Sequence, residues 1–178
     1  MCHLKNATEN SSRRDAVSLD ELRGRIVVLD GSVLIGLALA EKHFEALKQE
    51  IINERVSPLT HRLAIIELLY ILCRKASIDV AKQKLDLLKG SGYIDIVPTD
   101  VFLETIASVK CERKIALADC FTIALATKTN STAIFAKLER ELREEIERKP
   151  FPCDMYFIVE DLLLKKGETI EEKSIVED

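Results

Sequence analysis

Residues 25–30, Arg-Ile-Val-Val-Leu-Asp, constrain the fold more than any other stretch of the chain. Four apolar residues in a row, bounded by Arg25 and Gly31, read as a short strand buried on both faces. Strands of that kind belong to parallel sheets covered by helices on either side. Asp30 closes the strand, Gly31 and Ser32 make the turn, and Val33–Ala40 opens a helix. Ligands of parallel α/β sheets bind beyond the carboxyl ends of the strands. A carboxylate at Asp30 therefore faces a cleft at the edge of the core, where other carboxylates can be delivered.

The rest of the chain alternates strands with helices. After the helical stretch through Leu37, Phe44, Leu47 and Ile51, Val56-Ser57-Pro58 reads as a brief extended piece, and Pro58 argues against a central strand beyond it. Thr60 reads as an N-cap for an apolar helix over 61–75, and 79–89 as a second helix stopped by Gly90 and Gly92. Strands are expected at 93–97, 132–136 and 155–159, with helices at 101–110, 117–128 and 137–148 between them. This alternation predicts βαβ units on a mainly parallel sheet, an α/β fold. The expected layout is a flexible N-terminal tail over 1–20, one domain over 25–160 and a charged tail over 161–178.

Composition excludes several classes. The 178 residues are 47% apolar, enough to fill a core, with a net charge of −4 that argues against a wholesale nucleic-acid binder. With no tryptophan and 5% aromatics, a base-stacking platform is not expected. No apolar run approaches the roughly 20 residues that span a bilayer, so no membrane partner is expected. The polar start carries no signal core, which predicts a cytoplasmic protein. Cys2, Cys73, Cys111, Cys120 and Cys153 form no Cys-x-x-Cys pair and read as small apolar fillers in a reducing compartment.

Two further carboxylates stand on apolar faces. Glu67 has Leu63, Ala64, Tyr70 and Ile71 as helical neighbours; Asp119 has Ile115, Ala116, Thr122 and Ile123. An ionised carboxylate buried without a partner costs several kcal/mol. Each of the three has a purely structural reading: a turn residue for Asp30, a snorkelling side chain for Glu67, a helix-start charge for Asp119. Together they form a set of hard oxygen donors without nearby His or Cys, which suits Mg²⁺ or Mn²⁺. Ions held this way activate water and stabilise charge at a phosphodiester.

Residues 27–35 (Val-Val-Leu-Asp-Gly-Ser-Val-Leu-Ile), 57–72 (Ser-Pro-Leu-Thr-His-Arg-Leu-Ala-Ile-Ile-Glu-Leu-Leu-Tyr-Ile-Leu) and 115–126 (Ile-Ala-Leu-Ala-Asp-Cys-Phe-Thr-Ile-Ala-Leu-Ala) resemble the successive motifs of PIN domains, in order and over about 25–160. The resemblance implies a three-layer α/β/α sandwich and metal-dependent cleavage of RNA, as in VapC toxins. It makes Asp30, Glu67 and Asp119 the catalytic metal ligands and Ser32 a hydroxyl that orients Asp30. It also implies an antitoxin that threads a segment into the acidic groove, and a homodimer through the helices at 61–75 and 79–89.

One position departs from the pattern. Where the family often places a fourth Asp, this chain has Lys137. Its ammonium could pair with the remaining carboxylates, or Glu139 or Glu141 could reach in from the following helix, or Lys137 could be a solvated helix-start residue. The alternative to a nuclease is therefore a PIN-like scaffold or RNA-binding subunit with a weakened metal site. His43 and His61 are expected at the surface. Lys110, Arg113, Lys114, Lys128, Lys137 and Arg140 are candidate contacts for an RNA backbone. An Asp-nucleophile phosphatase is disfavoured, because no second carboxylate follows Asp30 closely.

Overall fold

The fold described here is that of a computed structural model, which describes residues 17–170. Most of the expected N-terminal tail, Cys2 included, lies outside the described residues. The first element, α1 (Val17–Asp20), is a single helical turn. It leads to Leu22, which is fully buried and so ties the chain to the core before the first strand.

Six strands form one sheet: β1 (Ile26–Leu29), β2 (Ser57–His61), β3 (Asp95–Val97), β4 (Thr132–Phe135), β5 (Asp154–Phe157) and β6 (Leu162–Leu164). Their order is β3-β2-β1-β4-β5-β6, and every pairing is parallel except β5 with β6. The order reverses direction from β1, so the cleft beyond β1 is the topological switch point of the sheet, where α/β proteins bind ligands.

Because side chains alternate across a strand, each strand serves two cores. Val28, Ala133, Phe135, Met155 and Phe157 face one side, where they meet α6 (Leu103–Glu112), α7 (Leu117–Thr129) and α8 (Arg140–Arg148). Val27, Leu29, Ile134 and Tyr156 face the other. There they meet α2 (Gly31–Ala38), α3 (Glu45–Ile52), α4 (Arg62–Lys75) and α5 (Ile78–Ser91). The result is the three-layer α/β/α sandwich.

The structure corrects the reading of residues 56–61. Pro58 lies inside β2, a central strand, opposite Val27 of β1. Ser57 donates its amide to the Arg25 carbonyl, so the next position along β2 points its amide side toward β3. β3 begins only opposite Leu59, so no ladder donor is needed at Pro58. Thr60 is correspondingly a strand residue whose hydroxyl donates to the Leu29 carbonyl, and the N-cap of α4 is His61. The sheet also continues past residue 160. The apolar run Leu162–Leu164 adds an antiparallel edge strand, because the turn after β5 brings three leucines back against it.

Candidate active site

The carboxyl edge of the sheet collects the residues singled out from sequence. β1 ends at Asp30, which is the N-cap of α2, its side chain accepting from the Ser32 amide. β2 ends at His61, from which α4 carries Glu67 into its second turn. α7 begins at the same edge, because it must run back across the sheet to feed β4, and Asp119 lies in its first turn.

Asp30 is 6% exposed, and both its oxygens are engaged. Oδ2 accepts from the Ser32 amide at 2.9 Å and from the Ser32 hydroxyl at 2.6 Å; Oδ1 accepts from the Thr122 hydroxyl at 2.9 Å. Ser32 Oγ in turn accepts from the Ala136 amide at 3.3 Å, which links the turn after β1 to the end of β4. Charge-assisted bonds of this kind fix a carboxylate in position.

The Glu67 carboxylate lies directly against the backbone of Gly31. A Cβ at Gly31 would fall 2.1 Å from Glu67 Oε2, so the close approach requires glycine there. Burial, reinforced by the charge of Asp30, pushes the Glu67 carboxyl up to about 7. Asp119 is also pushed up to about 7, by burial first, then by the charges of Asp30, Glu139, Glu67 and Glu141. A group of acids that mutually disfavour ionisation has an excess of negative charge in a partly dry cleft.

That charge is the test of a metal. Among the described residues, no three His, Cys, Asp or Glu side chains stand close enough to form a ready-made metal cage. The donor chemistry nevertheless fits a hard divalent cation: several carboxylates and hydroxyl oxygens, with none of the three carboxylates in an ion pair among the described residues. Lys137 does not fill the gap. Its ammonium lies 3.8 Å from Glu139, and both side chains are about two-thirds exposed. Glu139, the N-cap of α8, instead contributes negative charge toward Asp119.

Two sequence expectations fail here. His61 is fully buried rather than at the surface, because the β2–α4 junction places it beneath the Phe121 ring and beside Thr122. Arg113 is 5% exposed and unavailable to a nucleic acid. It donates to the carbonyls of Glu145, Lys149 and Pro150 at the end of α8, and its guanidinium covers the Phe151 ring. Lys110 is drawn to the Ile115 carbonyl and Arg140 to Glu144. A cleft of about 620 Å³ beside the start of α7 is lined by both charges, Lys110, Lys114 and Arg148 on one hand and Glu112, Glu141 and Glu145 on the other.

The profile of the PIN domain matches residues 27–144, two-thirds of the chain, from β1 into α8. The chain belongs to the PIN-domain family. No curated protein matches the sequence. Among solved structures, the sarcin–ricin-loop-cleaving toxin VapC20 of Mycobacterium tuberculosis is 14% identical, covering 57% of this chain and 82% of its own, with a TM-score of 0.45. VapBC2 of Rickettsia felis, bound to a DNA fragment from its promoter, is 14% identical, covering 63% and 88%, with a TM-score of 0.49. PAE2754 of Pyrobaculum aerophilum is 19% identical, covering 79% and 88%, with a TM-score of 0.41. The PIN match and the sandwich, rather than these distant likenesses, carry the family assignment.

Proposed function

We propose that this PIN domain is a divalent-metal-dependent endoribonuclease, with Asp30, Glu67 and Asp119 as the residues that hold Mg²⁺ or Mn²⁺. The observation that carries the reading is the concentration of three carboxylates, two of them pushed up to about 7, at the switch point of the sheet, with no cationic side chain of the described residues paired to them. A bound divalent ion would supply an activated water and neutralise charge developing on the scissile phosphate. The protein's own part is positional. Ser32 and Thr122 hold the Asp30 carboxylate, Gly31 lets Glu67 approach it, and α7 delivers Asp119 from the opposite layer. Lys114, which lines the cleft beside the start of α7, would contact a phosphate of the substrate. Neither a serine nor a cysteine nucleophile is needed.

The remaining expectations belong to the same reading. RNA is the substrate, the compartment is the cytoplasm, and an antitoxin covers the acidic groove. A homodimer forms through α4 and α5, whose Ile66, Tyr70 and Leu87 are exposed. Among the described residues no helix is long and apolar enough to cross a membrane. The domain proper occupies 25–160, with β6 added at its edge.

A second reading, a PIN scaffold with a disabled site, is favoured by a lysine rather than an acid at position 137 and by the lack, among the described residues, of a preformed metal cage. Calorimetry with Mn²⁺ on the wild type and Asp119→Asn, with RNA cleavage on the same samples, separates the two. The nuclease reading predicts that the substitution lowers both binding and cleavage by about 100-fold or more, beyond the 10–100-fold of a residue that only supports a ligand. A wild type that binds no Mn²⁺ at millimolar concentration establishes the scaffold.

A further inference from the structure

The buried polar chain behind Asp30 was not legible in the sequence, and beyond its last link, from Thr122 to Asp30, it takes no part in the reading of the three carboxylates. It begins at the first turn of α4, where the Ala64 amide donates to His61 Nδ1 at 3.1 Å. His61 Nε2 lies 2.9 Å from Thr122 Oγ1, and Thr122 Oγ1 donates to Asp30 Oδ1 at 2.9 Å. His61 and Thr122 are both fully buried.

The direction of every proton in the chain follows. Nδ1 already accepts from an amide, so the neutral ring carries its single proton on Nε2. That proton goes to Thr122, whose own hydroxyl proton is then left for Asp30. Burial keeps the ring neutral, since it pushes the imidazole down to about 4. Among the described residues, the charge that acts on the ring is that of Asp30, which opposes this shift without cancelling it.

The chain joins the three elements that bear the carboxylates. His61 caps α4, which carries Glu67. Thr122 lies one turn beyond Asp119 on α7, and Asp30 ends β1. We propose that His61 and Thr122 are positioning residues: one directed hydrogen-bond chain, running from the α4 amide to Asp30 Oδ1, fixes the Asp30 carboxylate and sets its register against Glu67 and Asp119. The consequence for metal affinity rests on the proposed function; the orientation of Asp30 does not.

The test uses the full chain and Mn²⁺ alone as the probe. Thr122→Val removes the hydroxyl at nearly constant volume, Thr122→Ser restores it, and His61→Asn keeps an N-cap acceptor but is too short to reach Thr122. Positioning predicts that Thr122→Val weakens Mn²⁺ binding about 10–100-fold and lowers kcat with an unchanged KM for RNA. It predicts that Thr122→Ser recovers both and that His61→Asn falls between. Crystal structures should show the Asp30 side chain turned in Thr122→Val and restored in Thr122→Ser. In the wild type, ring ¹⁵N shifts should place the His61 proton on Nε2.

A purely structural role would lower the melting temperature of Thr122→Val while leaving Mn²⁺ affinity and the Asp30 rotamer as in the wild type, and that result overturns the proposal. A proton found on Nδ1 overturns it too. If the wild type binds no Mn²⁺ and Asp30→Asn behaves identically, the nuclease reading fails instead. The Asp30 rotamer in Thr122→Val then decides the positioning claim by itself.

Discussion

Acids withdrawn from solvent, fully or in part, occur in two settings in this molecule, and they behave in opposite ways. Glu50 and Glu145 are each less than a tenth exposed, and each faces arginines: Glu50 meets Arg23 and Arg55, Glu145 meets Arg148 and Arg113. The Arg23 hydrogen bond holds the Glu50 carboxyl below its usual range, and the Arg148 bond does the same for Glu145. Glu67 and Asp119, at the carboxyl edge of the sheet, meet other acids and are pushed up to about 7. The first pair anchors α3 and α8 to their surroundings. The second pair stores an electrostatic cost that a divalent cation would relieve, the pattern expected of a functional site.

The comparison can be broken most strongly at the anchored end. Arg113→Ala removes three hydrogen bonds to the end of α8 and one neighbour of buried Glu145. It should cost about 3–5 kcal/mol of stability in urea titration. A loss below about 1 kcal/mol, the worth of a surface pair, would show that α8 does not depend on this guanidinium.

Gly31→Ala attacks the other end. The added methyl group meets the Glu67 carboxylate and must turn it away from Asp30. Mn²⁺ affinity should fall about tenfold, the lower range for a disturbed ligand support, with the fold retained by circular dichroism. Unchanged affinity would remove Glu67 from the site.

Asp119→Asn should, in the metal-free protein, raise the melting temperature at pH 8 by about 2–4 °C, the equivalent of 1 kcal/mol in a chain of this size. The folded carboxyl titrates near 7, above its ordinary 3.8, so the native state holds the proton more tightly than the unfolded chain. Its contribution to stability is therefore greatest below pH 4, falls as pH rises to 7, and is constant above. The gap between variant and wild type should open across that window in a melting series. A gap that stays level from pH 4 to 8 would contradict the raised carboxyl.

The smallest effect belongs to Glu139→Gln. This side chain adds negative charge near Asp119 but is mostly exposed, so Mn²⁺ affinity should fall by no more than about threefold and less in high salt. A loss of tenfold or more would promote Glu139 to a ligand in the place where the family often has Asp.

The residues of the candidate site stood out by local pattern. Asp30 announces itself because an apolar strand ends in an acid followed by glycine. Glu67 and Asp119 do so because an acid on an apolar helical face has no cheap structural explanation. The errors came where pattern is ambiguous. Pro58 argued against a central strand, since nothing local shows that β3 starts one residue too late to need its amide. Arg113 looked like any basic residue of a charged stretch, yet it is the buried clamp on α8. His61 looked like a surface histidine at the start of a helix.

By itself, then, the order of residues determined the alternation of strands and helices and singled out three acids that the fold brings to one edge. Hydrophobic periodicity and the cost of burying charge act within a few residues along the chain. Only the tertiary structure decided what stands behind Asp30. Thr122 is 92 residues from Asp30 and 61 from His61, and these three meet only because α7 crosses the sheet beside β1 and β2. Hydrogen-bond direction and burial are properties of that meeting, and no local pattern encodes them.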